Sequence, residues 1–357
     1  MNSLLAAVSL ILLTVVSAAP ASAQSAAPPQ AEVPEQVAPY LKPQRLVRIQ
    51  GGRTINLVCL GEGSPTVVLT AGMGGWSVVW NWIQRPLSQK TRVCAWDPAG
   101  LGFSSPSPEP RNAIHKTNDL EEALKGAYIG GSYVMVGHSA GAYVALTFTG
   151  QHRKAVVGMV LVDPAIPDEA AVRERVAPKF AAFGDIASRT GLKRLRQCAA
   201  EIQSGALKEG TPAFDQCTAQ PLPAAFSSMS ARLVRFNADP ARLLTQSSAM
   251  ANAVRSGTEV VNPKRNYGDM PLLVLTAGRH PIPPTMPADV RAQAALYFRT
   301  LASANDAYAA LSTRGRNQLV PDSGHLIQLE NPAAVIEAIN KVLADIRMQP
   351  RNQSAGH

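Results

Sequence analysis

The residue of this chain best suited to chemistry is a serine that lies between two glycines. Ser139 is the centre of a G-x-S-x-G motif at residues 137–141, and the apolar run Tyr133–Val136 leads directly into it. The helix-forming segment Ala142–Gly150 follows. A strand, a sharp turn and a helix in this order present a serine hydroxyl on a strained backbone, with the positive end of the helix behind it. Ser139 is therefore a candidate nucleophile, and a glycine-rich turn with an idle serine is the alternative interpretation.

A serine hydroxyl is a poor nucleophile until a base removes its proton. Of the six histidines, only His325 lies in a loop between the last strand-like run, Gln318–Val320, and a final helix. His138 lies within the motif itself, where we expect it to pack or to line a pocket. Three others have the surroundings of ordinary surface residues, namely His115, His152 and His357. We identify His325 as the candidate base.

Attack on a carbonyl creates a negatively charged oxygen, which two backbone N–H groups have to bind. One of these should belong to the residue after the nucleophile, Ala140. The other should come from the glycine-rich loop that follows the strand-like run Thr66–Thr70. Within that loop we choose the Met73 amide, and a plain flexible loop is the alternative.

The elements that have to position these residues follow from the hydrophobic pattern. Two strand-like runs precede an alternation of strand-like and helical segments, and most later runs are continuously apolar, as in parallel strands covered on both faces. This order predicts an α/β fold with a mostly parallel eight-stranded sheet between helices. The predicted strands are Arg45–Ile49, Ile55–Leu60, Thr66–Thr70, Arg92–Trp96, Tyr133–Val136, Val156–Val162, Leu272–Thr276 and Gln318–Val320.

A long stretch at about residues 165–265 interrupts this alternation. It is rich in alanine and arginine, is helix-like and contains no convincing strand. We interpret it as a helical cap inserted after the sixth strand of a domain at residues 44–349. Its larger apolar side chains either line a pocket facing Ser139 or form a core of the cap's own, and they are Phe180, Phe183, Leu192 and Phe226.

With these motifs the chain resembles the α/β-hydrolase superfamily, in its branch of cap-bearing serine esterases and lipases, over about residues 45–165 and 268–345. Residues 71–73 stand where the family often has His-Gly-x, and residues 97–104 are similar to its D-x-x-G-x-G-x-S turn, which is not normally catalytic. The resemblance implies the α/β-hydrolase fold. Dehalogenases and epoxide hydrolases of this fold carry an aspartate at the nucleophile position. Ser139 instead favours hydrolysis of an ester or related acyl substrate through an acyl-enzyme, without a cofactor.

The resemblance also implies where the third member of a catalytic triad should lie. Its usual place is just after the seventh strand, but no carboxylate occupies that slot after Leu272–Thr276. An alternative place in this fold is the end of the sixth strand, where Asp163 stands. We therefore favour Asp163 as the acid and keep Asp168 and Asp289 in reserve.

The four cysteines are an even count, which in an oxidising compartment favours two disulfides, and no cluster of cysteines and histidines suggests a metal site. Four separate buried thiols are the alternative. The resemblance places the second and fourth strands side by side, which implies a Cys59–Cys94 bridge. Cys198 and Cys217 then remain to link parts of the cap.

The first residues predict export. Leu4–Ala19 is apolar or small, and Ala21–Ala23 has the small-x-small form that precedes signal-peptide cleavage, although no Lys or Arg precedes the apolar run. We expect a signal peptide at residues 1–23, a Pro/Ala-rich tether at 24–43 and a disordered tail at 350–357. This predicts a periplasmic or secreted protein without stable membrane insertion, and an uncleaved membrane anchor is the alternative.

The net charge of +9 raises the question of nucleic acid. The lysines and arginines are scattered and form no basic block, which argues against nucleic-acid binding and leaves a mild attraction to anionic surfaces. The leading hypothesis is an esterase for a small-molecule acyl substrate. A lactonase, a perhydrolase or an amidase would use the same residues, and a catalytically silent ligand-binding protein is the competing class.

Overall fold

Eight strands form one sheet in the computed structural model, which describes residues 36–218 and 238–348. The strands are β1 Arg45–Arg48, β2 Thr54–Leu60, β3 Thr66–Thr70, β4 Val93–Trp96, β5 Tyr133–His138, β6 Val156–Val162, β7 Leu272–Ala277 and β8 Gly315–Val320. Their order is β1-β2-β4-β3-β5-β6-β7-β8, and only the pairs of β2 with β1 and β4 are antiparallel. The predicted mostly parallel eight-stranded sheet is confirmed.

Helices cover both faces of this sheet. The helices of the described chain are α1 Asn81–Ser88, α2 Ala113–Gly126, α3 Gly141–Gln151, α4 Glu169–Val176, α5 Pro178–Gln203, α6 Pro212–Thr218, α7 Pro240–Ala251, α8 Ala253–Glu259, α9 Ala288–Ala309, α10 Ile327–Glu330 and α11 Pro332–Arg347. Helices α2, α3 and α9 pack on one face, and α1 and α11 pack on the other. Successive residues of a strand point to opposite faces, so Met135 of β5 joins the first layer while Val136 joins the second.

The final helix shows how local sequence sets an element in place. The Asn331 side chain accepts a hydrogen bond from the Ala334 amide at 3.2 Å, and Pro332 occupies the first turn, where a missing N–H costs nothing. Val335 and Ile339 on one side of the helix are fully buried against the sheet. Only the short helix α10 separates this helix from the loop that carries His325.

Helices α4 to α8 form an insertion between β6 and β7, which confirms the predicted helical cap. No strand occurs in the described part of this insertion. Helices α5 and α7 pack together around Cys198, Ala199 and Leu243. A Cys198–Cys217 disulfide joins α5 to α6.

The second disulfide lies in the sheet. Cys59 of β2 and Cys94 of β4 are direct cross-strand partners, with Cα atoms 4.1 Å apart, and their sulfurs are bonded. All four cysteines are therefore paired as predicted, and none is free. Two disulfides are consistent with an oxidising compartment.

Part of the predicted tether is packed against the domain. Val37 and Tyr40 are buried in a cluster with Trp76 and Leu101, and the Tyr40 hydroxyl donates a hydrogen bond to Gln84 Oε1 at 2.6 Å. Burial of the Val37 and Tyr40 side chains in this cluster stabilises the packing of residues 37–40 against the domain.

The ends of the chain lie outside the described residues. This applies to the predicted signal peptide at 1–23, most of the tether, the tail at 350–357 with His357, and Phe226 in the cap. Within the ranges that the structure describes, no helix combines the length and the apolar character that crossing a bilayer requires.

Candidate active site

Ser139 occupies the sharp turn between β5 and α3. Its φ is +50°, in the left-handed region that non-glycine residues rarely adopt. Backbone hydrogen bonds hold it there, because its amide donates to the Val162 carbonyl at 3.1 Å and its carbonyl accepts from Ala142 at 3.0 Å. A Cβ on Gly137 would lie 2.7 Å from the Ala142 Cα, so the motif needs glycine where strand and helix approach most closely.

His325 and Asp163 are joined by a hydrogen bond. His325 Nδ1 lies 2.7 Å from Asp163 Oδ2, and the other oxygen of that carboxylate accepts from the Ala277 amide at 3.0 Å. Asp163 directly follows β6, has a φ of +39° and donates its own amide to the Leu275 carbonyl at 2.7 Å. The carboxylate is thus fixed by the ends of two neighbouring strands.

The charge of Asp163 is stabilised although the residue is buried. Burial acts to raise the pKa of this carboxyl, but the hydrogen bond from His325, the attraction between the carboxylate and that ring when it is protonated, and the Ala277 amide together hold the pKa below its usual value. Asp163 is therefore ionised at neutral pH. Its bond to Nδ1 leaves His325 Nε2 as the nitrogen able to exchange a proton with a substrate or with Ser139.

The two reserve carboxylates lie elsewhere. Asp168 precedes α4, where its amide donates to the Gly257 carbonyl at 3.0 Å. Asp289 forms an exposed ion pair with Lys179 at 2.7 Å. Among the described residues, Asp163 is the one carboxylate bonded to the His325 ring.

His138 links the two halves of the site. It is buried, its Nε2–H donates to the His325 backbone carbonyl at 2.9 Å, and the two rings are 4.8 Å apart. Burial, and to a lesser extent the charge of His325, lower the pKa of His138 to about 3, so this ring is neutral and cannot repel a cationic His325. His138 packs within the site and holds the backbone of His325 beside the turn that carries Ser139.

No hydrogen bond joins the Ser139 hydroxyl to His325 within the described part of the chain. In unliganded hydrolases this contact is often long or poorly aligned, and it tightens when substrate binds. The structure thus brings Ser139, His325 and Asp163 to one end of the sheet and forms one of the two bonds that a triad requires.

The two candidate oxyanion-binding amides come from the two segments that meet at Ser139. Ala140 precedes the first turn of α3, and Met73 belongs to the loop after β3. That loop approaches closely, since a Cβ on Gly72 would lie 2.9 Å from the Ser139 Cβ. In the described chain neither the Met73 nor the Ala140 amide donates a hydrogen bond. Two N–H groups beside the serine are thus unpaired.

A cavity of about 240 Å³ opens at Ser139. Met73 and Ala140 line it, and they also line an adjoining cavity of about 120 Å³. The cap contributes Ala249 and Met250 of α7 to both cavities. The residues that carry the candidate oxyanion-binding groups therefore line two small cavities.

The large apolar side chains that we considered as a lining of the pocket do not line the cavity at Ser139 in the described chain. Phe180 packs on Tyr297 and Phe298 of α9, with ring centroids 5.6 and 5.9 Å away. Neither Phe183 nor Leu192 lines the cavity at Ser139 within the described chain. Phe180 therefore neither lines the cavity nor belongs to a core of the cap alone, because it packs between the cap and α9.

Sequence reasoning missed the charged side chains of the cavity wall. Lys116 of α2 lines both cavities, and Glu169 and Arg173 of α4 line the larger one. One signal was present, because Lys116 stands four residues before Leu120 and seven before Ala123, on the apolar stripe of its helix. A lysine on such a stripe has to be buried or to face a cavity.

Asp97, in the turn similar to D-x-x-G-x-G-x-S, has a structural role. It is fully buried and accepts hydrogen bonds from Asn56 Nδ2 at 2.8 Å and from the Phe103 amide at 2.9 Å. Across the described residues, no group of three histidine, cysteine or carboxylate side chains is arranged to hold a metal ion.

Comparison with known proteins gives the family. The profile of the alpha/beta hydrolase family matches residues 67–338. An uncharacterized protein of Bacillus subtilis (strain 168), YqjL, is 32% identical over 108 residues. That match covers 30% of this chain and 43% of the relative, so the chain spans less than half of the relative's length.

Solved structures show the same fold at low identity. A thermophilic esterase from Thermogutta terrifontis has a TM-score of 0.50 and 21% identity, over 84% of this chain and 97% of that one. Est816, described as an N-acyl homoserine lactone degrading enzyme, has a TM-score of 0.52 and 17% identity, over 83% and 99%. With a family match over most of its length and the sheet, turn and cap described above, this chain belongs to the alpha/beta hydrolase family.

Proposed function

We propose that this protein is a serine hydrolase that cleaves carboxylic esters through an acyl-enzyme on Ser139. One observation carries the proposal: the 2.7 Å hydrogen bond between His325 Nδ1 and the buried Asp163 carboxylate, formed beside the strained turn of Ser139. A histidine held by an ionised carboxylate is the base that a serine nucleophile needs.

Acylation starts when His325 Nε2 takes the Ser139 proton and the serine oxygen attacks the ester carbonyl. The oxygen of the tetrahedral intermediate becomes negative and accepts hydrogen bonds from the Met73 and Ala140 amides, with α3 adding the positive end of its dipole. The bond to the alcohol then breaks, and the alcohol leaves with the proton from His325. The acyl group remains on Ser139.

Deacylation repeats these steps with water. His325 takes a proton from the water, whose oxygen attacks the acyl-enzyme, and the proton returns to Ser139 as the carboxylic acid leaves. In both halves Asp163 stabilises the cationic imidazole and keeps its proton on Nδ1, since that nitrogen donates to the carboxylate.

A carbonyl substrate suits this site because the group at the turn is a serine hydroxyl with two unpaired amides beside it. The same groups would open a lactone, cleave an amide or, as in a perhydrolase, pass the acyl group to hydrogen peroxide, so assays have to identify the class of acyl substrate. The two disulfides support the proposed periplasmic or secreted location.

The direct test is labelling with a fluorophosphonate probe, which reacts with an assembled serine nucleophile and not with an idle one. We expect labelling of the natural protein, none of Ser139→Ala, and full labelling of Ser303→Ala, which removes an exposed serine of α9. Turnover of para-nitrophenyl esters should fall by roughly 10⁴-fold or more in Ser139→Ala with the melting temperature retained. A correctly folded natural protein that neither labels nor hydrolyses any ester, lactone or amide would instead be a silent binding protein.

A further inference from the structure

Lys116 is a cation in an otherwise apolar part of the cavity wall. It projects from α2 and lines both cavities, together with Val144, Ala249 and Met250. Met73 and Ala140 line the same two cavities. Lys116 is thus on the wall shared by the two spaces that meet at the proposed reaction centre.

The ammonium of Lys116 has no partner in the described chain. Its Nζ atom makes no hydrogen bond and no ion pair with any described residue, and no carboxylate of those residues lies within ion-pair distance of Nζ. Burial, with a smaller contribution from the Arg111 guanidinium, lowers the pKa of Lys116 to about 8. The side chain is still mostly charged at neutral pH, and a partly buried charge without a counter-ion is costly.

The other charged groups of these cavities already have partners. Arg111 is paired with Asp119 at 2.6 Å, and Arg173 lies 3.8 Å from Asp185. Glu169 accepts a hydrogen bond from the Tyr297 hydroxyl at 2.6 Å. Lys116 is thus the charged side chain on the wall shared by both cavities, it has no such partner in the described chain, and its single positive charge suits a ligand group with a single negative charge.

We propose that Lys116 binds a carboxylate carried by the substrate, so that the preferred substrates are esters with a free carboxylate at the end of the acyl chain. This inference rests on the proposed hydrolase function and names its substrate class. A carboxylate fits better than a phosphate monoester, because a second negative charge would need a second unpaired cation. The number of carbons between the free carboxylate and the ester carbonyl determines whether the ester carbonyl lies at Ser139 when the carboxylate is bound to Lys116.

The kinetic test uses two matched esters. One is the mono-para-nitrophenyl ester of glutaric acid, and the other is its neutral isostere, in which an isopropyl group replaces the carboxylate. The kcat/KM of the natural protein should be roughly tenfold to a hundredfold higher for the charged ester than for the neutral one. This is the ratio that corresponds to the free energy of one hydrogen bond to a charged group. In Lys116→Met this ratio should fall to about one or below, mainly through KM.

Two further variants separate binding from structure. Lys116→Arg keeps the charge and should retain part of the preference, while Lys125→Met removes an exposed lysine of the same helix and should retain all of it. A natural protein that hydrolyses both esters equally, or a Lys116→Met variant with an unchanged ratio, would overturn the inference and leave Lys116 as a side chain that only covers apolar surface.

A binding measurement keeps this inference separate from the proposed function. Calorimetry with Ser139→Ala should show that the monoanilide of glutaric acid, which resists hydrolysis, binds at least roughly tenfold more tightly than its neutral isostere. The double variant Ser139→Ala/Lys116→Met should lose that difference. If no ester is hydrolysed but this difference is found, the carboxylate site stands and the hydrolase proposal fails; equal binding, or none, rejects the carboxylate site.

Discussion

The sheet edge, by which we mean the carboxyl ends of the strands where Ser139, Asp163 and His325 lie, differs in construction from the cap. Eight of the 11 residues of α3, which follows Ser139, are buried, but only three of the 26 residues of α5 in the cap are. At the sheet edge Asp163 is bonded to two neighbouring segments, whereas the cap meets α9 through the packing of Phe180 on Tyr297 and through the exposed Lys179–Asp289 ion pair. Exposed ion pairs contribute little stability. The groups proposed for chemistry thus lie where the structure is most constrained, and the cap that surrounds the substrate lies where it is least constrained.

The largest expected effect concerns the constrained side. Asp163→Asn should lower kcat by roughly 10²–10⁴-fold with little change in KM, because the imidazolium loses its carboxylate and its tautomer is no longer fixed. Steady-state kinetics on a para-nitrophenyl ester measures this. Asp289→Asn and Asp168→Asn serve as controls and should stay within about threefold of the natural protein. A mild effect of Asp163→Asn together with a severe one of Asp289→Asn would mean that the charge on His325 is stabilised from elsewhere.

The two disulfides test whether the regions unfold separately. Replacing Cys59 and Cys94 by alanine should lower the free energy of global unfolding by roughly 2–4 kcal/mol. Replacing Cys198 and Cys217 should instead favour local opening of the cap, and we expect the global value to change by less than about 1 kcal/mol. Urea titration followed by tryptophan fluorescence gives the global value, and limited proteolysis reports opening of the cap. Equal losses in the urea titration would show that cap and sheet unfold as one unit.

Acid should weaken the sheet edge through His138. The pKa of His138 in the folded state is about 3, well below that of an exposed histidine, so the unfolded chain binds a proton that the folded one does not. Stability should therefore fall by roughly 1 kcal/mol per pH unit as the pH drops below about 6. The lowered pKa of Asp163 adds a further loss only at still lower pH.

A matched pair of variants isolates this pH dependence. His138→Gln keeps an N–H donor and should have a flatter stability profile between pH 6 and pH 4 in urea titrations, at the cost of a lower maximum. His115→Gln, on the surface of α2, should keep the natural slope. An unchanged slope in His138→Gln would assign the acid sensitivity to other groups.

The smallest expected effect lies in the cap. Met250→Ala should shift the preferred acyl-chain length and change relative kcat/KM values several-fold, because Met250 lines both cavities. Phe180→Ala should instead lower the melting temperature and leave the preference intact, since Phe180 packs on Tyr297. Assays with esters of graded chain length, beside thermal melts, distinguish the two, and a reversal of these outcomes would place Phe180 at the substrate.

The sequence predicts the sheet edge better than it predicts the contacts of the cap. The turn at Ser139 and the position of Asp163 directly after β6 depend on residues adjacent in the chain and were predictable, although the choice of Asp163 as the acid came from the resemblance to the family. The strand β8 begins at Gly315, three residues before the predicted start, because Arg316 and Asn317 on this edge strand are polar and mask the pattern. The contacts of Lys116, Glu169 and Arg173 depend on how the cap settles over the sheet, which no local pattern encodes.

The link between His138 and His325 has a consequence for the order in which function appears during synthesis. These two residues are 187 positions apart, and the later one follows the last strand of the sheet. A growing chain that has reached only Val320 contains Ser139, Asp163 and His138 but lacks His325, the proposed base. The proposed reactivity therefore depends on the loop after β8, so it can appear only once nearly the whole chain has been made and that loop lies beside the turn of Ser139.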